Sequence, residues 1–314
     1  MNKEASIFVA GARGLVGAAI CRALAARGFL RVLAPSRGML DLRDRAAVNR
    51  FFTSERPDYV FMAAAKVGGI VANDSYPADF IRDNLEIQTN VIDAAYRAGT
   101  RKLCFLGSSC IYPRMAPQPL QESSLLTGPL EPTNQWYAIA KIAGIKMCQA
   151  YALQHGFNAI SVMPTNLYGP GDNFDLQTSH VLPALLRKCH AARESGSKEV
   201  TVWGSGTPRR EFLYVDDLAD ALFFLMERYD SPEIINVGCG EDVTIAELAA
   251  LIADTVGFRG ELVFDRSKPD GTPRKLLDVS KMTALGWQPR THLREGVRAT
   301  YDWYLKNAKQ ARAG

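Results

Sequence analysis

Three glycines spaced GxxGxxG sit between the first apolar run of this chain and its first helical pattern. The stretch reads Ser6-Ile7-Phe8-Val9-Ala10, then Gly11-Ala12-Arg13-Gly14-Leu15-Val16-Gly17. A strand that turns on glycine directly into a helix lets a ligand approach the backbone closely. It also presents the positive end of the helix to that ligand, an arrangement suited to a pyrophosphate. A glycine triplet alone can be an ordinary tight turn packed on glycine. The complete strand-turn-helix context turns the reading toward a dinucleotide site formed by Gly11, Ala12, Arg13, Gly14, Leu15, Val16 and Gly17.

The rest of the first half repeats the unit. A second strand is predicted near 30–34, a helix over 45–55, a strand at 59–62 and a long amphipathic helix over 77–98. A fourth strand ends in Leu103-Cys104-Phe105-Leu106, a helix covers 138–155, and Ala159-Ile160-Ser161-Val162-Met163 is a fifth strand. Strands alternating with helices imply an α/β doubly wound parallel sheet of the Rossmann type. After Pro164 the pattern loosens into a glycine-rich loop, a helix over 179–194 and a β-rich stretch over 200–213. Residues 1–163 are therefore expected to form the nucleotide domain. Residues 164–314 are expected to form mainly a smaller mixed α/β substrate domain, with segments returning to the sheet and a frayed tail after Lys306.

Composition excludes several classes. Of 314 residues, 47% are hydrophobic and 22% charged, with net charge +4. This suits a globular protein and an anionic small ligand, and it is far from a nucleic-acid signature. No apolar run reaches membrane length, no secretory signal opens the chain, and no membrane partner is expected. The six cysteines, at 21, 104, 110, 148, 189 and 239, form no CxxC pair, and no His/Cys cluster has metal spacing, so no metal is expected. This pattern fits a reducing, cytoplasmic setting.

Three local features carry the chemistry. The second strand ends in Ala34-Pro35-Ser36-Arg37, with no carboxylate before Asp41 to take a ribose 2′-hydroxyl. Arg13 and Arg37 instead suit a 2′-phosphate, which favours NADP(H); the alternative is that Arg37 is a solvated surface arginine. Tyr137-Ala138-Ile139-Ala140-Lys141 places Tyr and Lys on one helical face. There an ammonium can lower the phenol pKa from its ordinary value of about 10. In LGSSCIYP, residues 106–113, an extended chain would point Ser108 and Cys110 the same way at a strand end. The alternative there is a polar strand end with a buried, inert thiol.

Together, Gly11, Gly14, Gly17, Ser108, Tyr137 and Lys141 resemble the extended short-chain dehydrogenase/reductase superfamily. AAAKVGGI, YPADFI, LGSSCIYP, EPTNQWYAIAKIAGIK, VMPTNLYGP, VWGSGTPRREF and SKPDGTPRKLLDV narrow the resemblance to its GDP-L-fucose synthase family over nearly the whole chain. The resemblance implies two-step conversion of GDP-4-keto-6-deoxy-D-mannose, by epimerisation at carbons 3 and 5 and NADPH-dependent reduction at carbon 4. It assigns Cys110 as base, His180 as acid, Ser108 and Tyr137 to the carbon-4 oxygen, and Lys141 to the nicotinamide ribose. It also places Leu106, Gly107, Ser108, Ser109, Pro164, Thr165, Asn166, Leu167 and His180 around the cofactor. Lys188, Trp203, Arg210 and Asp270 fall on the GDP-sugar, with a core aromatic as the other reading of Trp203. Arg187 reads as a solvated helix residue. Tyr214 is a departure, where histidine would match the family. The resemblance further implies a homodimer paired through helices near 77–98 and 138–155.

Rival readings are a GDP-colitose synthase, a simple 4-reductase, an NAD-dependent 4-epimerase and a non-catalytic NADP-binding regulator. A simple reductase has no need of Cys110 and His180, and a regulator would not need an intact Ser/Tyr/Lys set. The sequence does not separate a 3-hydroxy from a 3-deoxy sugar.

Overall fold

In the computed structural model, which describes residues 1–176, 178–268 and 270–311, the elements alternate as the sequence pattern predicts. The first half runs β1 (Ser6–Ala10), α1 (Leu15–Ala26), β2 (Arg31–Leu33), α2 (Arg45–Glu55), β3 (Tyr59–Met62), α3 (Ile70–Ser75), α4 (Pro77–Arg97), β4 (Lys102–Leu106), α5 (Gln135–His155) and β5 (Ala159–Pro164). It continues with β6 (Asn166–Tyr168), α6 (Val181–Ser195), β7 (Glu199–Trp203), β8 (Arg209–Arg210), β9 (Phe212–Tyr214), α7 (Val215–Arg228) and β10 (Ile234–Val237). Last come β11 (Val243–Thr244), α8 (Ile245–Val256), β12 (Glu261–Asp265), β13 (Arg274–Lys275), α9 (Ser280–Leu285) and α10 (Leu293–Ala311). The end expected at Lys306 is therefore helical to Ala311; residues 312–314 lie outside the described residues.

The main sheet is parallel, in the order β10-β5-β4-β3-β1-β2. Its central strands are buried on both faces, which is why they read as continuous apolar runs and not as alternating ones. Successive residues still part to opposite sides. Phe8 and Ala10 join Val60, Phe105, Phe52, Val91 and Ile142 beneath α2, α4 and α5. Ile7 and Val9 join Phe61, Cys104, Ile20, Leu24 and Leu222 beneath α1 and α7. Each such side chain, fully withdrawn from water, contributes about 1.5–3 kcal/mol. α7 and β10 come from the second half, so the sheet and its second face are completed across residue 164.

A third core lies beyond the sheet, where Leu182 and Leu186 of α6 meet Val202, Leu248, Ile252, Val297 and Tyr304. The short pairs β8–β13 and β6–β9 link this body to the sheet's carboxyl edge. Chain order reverses between β1 and β3, so the Gly11–Gly17 turn stands at the crevice where open α/β sheets bind ligands.

Candidate active site

The glycine turn has a physical reason at two of its three positions. Gly11 has φ +82°, and a Cβ there would stand 2.8 Å from the Ala64 amide nitrogen. A Cβ on Gly17 would collide with the Gly11 carbonyl. Gly14 differs. Its Cβ would meet only the Gly11 carbonyl oxygen at 3.4 Å, it is exposed, and it caps α1 without any side-chain hydrogen bond. The first amides of α1 are thus left for an external acceptor.

Arg13 is exposed in the same turn. Arg37 has a side chain 73% exposed and reaches only 4.0 Å from Asp41. Asp41 is already gripped by Arg43, through Nε at 3.1 Å and Nη2 at 2.7 Å, and these bonds hold its carboxyl down to about 2. This end of the crevice therefore carries two exposed guanidinium groups, Arg37 only loosely paired, and an occupied carboxylate, a donor set that fits a 2′-phosphate.

The strand carrying LGSSCIYP ends earlier than an extended reading expects. β4 stops at Leu106, and Ser109–Ile111 form a single 3₁₀ turn capped by Ser108. The turn brings the two side chains together by another route: the Ser108 hydroxyl accepts the Cys110 N–H at 3.3 Å. Cys110 is buried, and burial pushes its thiol up, opposed by the charge of Lys275, the Ser108 hydrogen bond and the charge of Lys141. These positive and hydrogen-bonding neighbours oppose the rise without reversing it.

Tyr137 and Lys141 share one face of α5, but the lysine is aimed past the phenol. Lys141 is buried and its Nζ donates to the Leu106 carbonyl at 2.7 Å, lying 5.8 Å from the Tyr137 ring centre and 4.9 Å from that of Phe105. Burial holds its pKa down to about 8. Burial, then negative charge at Cys110, raises Tyr137. This reverses the expected lowering of the phenol: burial dominates, and the ammonium is turned to the Leu106 carbonyl.

His180 stands at the N-terminus of α6, exposed at its surface, and nearby protein atoms and the charge of Lys275 both lower its imidazole. Lys275 is the site residue that sequence reasoning missed. It stands on a two-residue strand in register with Arg210, and its charge bears on Cys110, His180 and Arg210.

The residues expected on the GDP-sugar form a second group. The Trp203 indole is 53% exposed, which excludes the core reading, with Lys188 Nζ 5.2 Å and Lys268 Nζ 5.7 Å from its ring centre. Lys188 also donates to the Thr201 carbonyl at 3.1 Å. Asp270 accepts from the Ser205 N–H at 2.6 Å and hydroxyl at 2.9 Å. Burial lowers Arg210, and Asp270 opposes that shift. Arg187 is not solvated: it is half-buried and donates to the Phe174 carbonyl at 2.9 Å. Tyr214 packs edge-on to Tyr168, ring centres 5.7 Å apart.

Along the crevice, Leu106 ends β4, Gly107 beyond it donates its N–H to the Val162 carbonyl at 2.8 Å, and Pro164 ends β5. Thr165, Asn166 and Leu167 lead into β6, with the Asn166 amide and the Thr165 hydroxyl both donating to the Glu211 carbonyl, at 2.8 and 3.3 Å. A glycine turn at the switch point and a Ser/Tyr/Lys set beside it agree with one family, whose profile matches residues 7–238. The chain belongs to the NAD dependent epimerase/dehydratase family.

Within that family it is 62% identical to GDP-L-fucose synthase 1 of Arabidopsis thaliana over 98% of this chain and 95% of that one. It is 55% identical to the GDP-L-fucose synthase of Escherichia coli K12, over 99% and 100%. It superposes with TM-score 0.92 on the NADP-bound crystal structure of a GDP-L-fucose synthetase from Naegleria fowleri, 33% identical, over 99% and 96%.

Proposed function

We propose that this chain converts GDP-4-keto-6-deoxy-D-mannose to GDP-L-fucose, epimerising carbons 3 and 5 and then reducing carbon 4. One observation carries the reading: a Ser/Tyr/Lys set at the sheet's carboxyl edge stands with a buried thiol that is faced by two lysines. The first is the equipment of a reductase. The second is surplus to a simple reductase and suits proton abstraction.

The 4-keto group acidifies the hydrogens on carbons 3 and 5. Cys110 removes them as thiolate, its negative charge supported by Lys275 and Lys141. His180 returns a proton from the opposite face. Ser108 and Tyr137 hydrogen-bond the carbon-4 oxygen and stabilise the enolate. NADPH, when bound, supplies the hydride for carbon 4. Gly11–Gly17 and the open α1 terminus hold its diphosphate, and Arg13 and Arg37 its 2′-phosphate. Leu106–Ser109 and Pro164–Leu167 line its path, Lys141 holds its ribose, and Tyr137 protonates the carbon-4 oxygen. Arg210 and Lys188 bind the GDP diphosphate, Trp203 offers a face to the nucleotide, and Asp270 completes that end.

The protein is further read as a cytoplasmic homodimer of two domains divided near residue 164. All six cysteines are free thiols, and no helix among the described residues is long and apolar enough to cross a membrane. Gly144 serves the approach of α5 to its own Phe105 and Gln88, so it is not the contact a second subunit would use. The outer stripe of α5 instead runs Trp136, Ile139, Ala143, Lys146, Ala150 and Leu153, with Leu153 fully open to water. A second copy covering that stripe explains it, and light scattering should return twice the chain mass.

Incubation with GDP-4-keto-6-deoxy-D-mannose and NADPH tests the main reading. GDP-L-fucose should form with one NADP+ released per turnover. Reduction without inversion at carbons 3 and 5, or no turnover, overturns it.

A further inference from the structure

Glu211 lies between Arg210 and Phe212 in a run of charged residues that reads as surface, yet it is 0% exposed. Its carboxylate accepts three backbone N–H groups: Cys239 at 2.7 Å and Gly240 at 2.8 Å on Oε1, and Leu277 at 3.0 Å on Oε2. Its own N–H donates to the Lys275 carbonyl at 3.3 Å. Glu211 therefore grips the 275–277 segment twice, once with backbone and once with side chain. Its carbonyl meanwhile takes the Thr165 hydroxyl and the Asn166 amide. Gly238 is shaped to this carboxylate, since a Cβ there would collide with Oε1 and stand 2.7 Å from Cδ.

A fully buried carboxylate is costly unless its lone pairs are satisfied, and a packing role could be filled by an apolar side chain. What the carboxylate does here is tie the 239–240 turn and Leu277 together just beyond the end of the two-residue β8–β13 ladder. β13 is two residues long, too short to fix its own side chains. Lys275, the cation facing Cys110 and His180, sits on it.

We propose that Glu211 is a positioning residue for the epimerisation chemistry. Its carboxylate fixes the 275–277 segment, and with it the β13 backbone that carries Lys275 and brings its charge to bear on Cys110 and His180, while its backbone ties the same segment to the cofactor-lining Thr165–Asn166 segment. The inference rests on the reading of Cys110 as base.

Glu211→Gln separates the two halves of the clamp. A carboxamide can accept the Cys239 and Gly240 N–H groups, but it then turns an NH2 toward the Leu277 N–H, while the backbone bonds to Thr165 and Asn166 persist. Hydrogen–deuterium exchange read by peptide mass spectrometry should show faster exchange over residues 272–278. Solvent-deuterium incorporation at carbons 3 and 5 of the keto sugar should fall about tenfold to a hundredfold, the cost of a small misplacement at a reacting centre. NADPH affinity should stay within about threefold, because the cofactor contacts run through the backbone.

Lys275→Met should lower deuterium incorporation as well, and the double variant should be no worse than Lys275→Met alone. Losses that multiply, or incorporation at the wild-type rate in Glu211→Gln, overturn the proposal. If Glu211→Gln does not fold, Gly238→Ala displaces the carboxylate from the other side and carries the same comparison. Absence of incorporation in the wild type overturns the function and leaves Glu211 to the amide-exchange arm, where unchanged protection of 272–278 overturns the clamp.

Discussion

The Lys141 ammonium donates to the carbonyl of Leu106 at 2.7 Å, which ties α5 to the last residue of the central strand. The bond spends one ammonium proton on the backbone; on the proposed function the others serve a ribose. Burial depresses Lys141 to about 8, well below the ordinary lysine value of about 10.4. The protonated form is therefore penalised in the folded state, and the unfolded chain binds the extra proton between those values. This group's contribution to stability accordingly rises as pH climbs from about 8 toward 10. Activity moves the other way: kcat/KM should fall above pH 8 as the ammonium is lost. A kcat/KM profile flat to pH 10 would show that the charge on Lys141 is not needed.

Gly14 and Gly17 should fail differently when replaced by alanine. The Gly17 Cβ has no room against Gly11, so Gly17→Ala should destabilise the fold by the about 1–3 kcal/mol typical of overpacking, lowering the melting temperature and weakening NADPH with it. The Gly14 Cβ fits the protein, so Gly14→Ala should melt as the wild type and lose cofactor affinity alone. Calorimetry beside a fluorescence titration separates the two, and unchanged NADPH binding in Gly14→Ala would remove that glycine from the phosphate cradle.

What was legible beforehand was local. GxxGxxG and YxxxK are fixed by neighbours in sequence, and buried strands announce themselves as apolar runs, so the sheet and the glycine turn at its edge could be read directly. The 3₁₀ turn at Ser109 was hidden because Ser108 accepts its own neighbour's N–H, a choice that strand alternation does not reveal. Lys275 and Glu211 were hidden for a different reason. Their partners come from distant parts of the chain; Lys275 stands on a strand of two residues and Glu211 between two short strands, and elements so short leave no periodicity. The raised Tyr137 and Cys110 pKa values were beyond sequence too, since they follow from how completely tertiary packing removes water.

Arg37→Ala should discriminate between the two nicotinamide cofactors. Charge-assisted bonds to a phosphate contribute about 1.5–3 kcal/mol each, so NADPH affinity should fall about tenfold to a hundredfold while NADH affinity, already weak, hardly changes. Arg13→Ala should act in the same direction. Direct titration of both cofactors against wild type and variants decides it, and equal wild-type affinities for NADPH and NADH would leave the two guanidinium groups without that role.

Cys110 and Tyr137 should divide the chemistry between them. Cys110→Ser keeps nearly the same shape and replaces the thiol with a hydroxyl that does not ionise near neutrality. Deuterium incorporation at carbons 3 and 5 should drop by the roughly 10²–10⁴-fold that a general base contributes. NADPH should bind as before, and slow reduction of the un-epimerised keto sugar should persist, giving a product with the configuration of GDP-rhamnose. Tyr137→Phe removes the donor for the carbon-4 oxygen. NADPH oxidation should cease while deuterium incorporation falls but continues, because the Ser108 hydroxyl still supports the enolate. NMR of the sugar and absorbance of NADPH, followed in the same samples, resolve the two rates. Wild-type incorporation in Cys110→Ser would reduce the thiol to packing, and its burial at the end of the strand would then be its whole role.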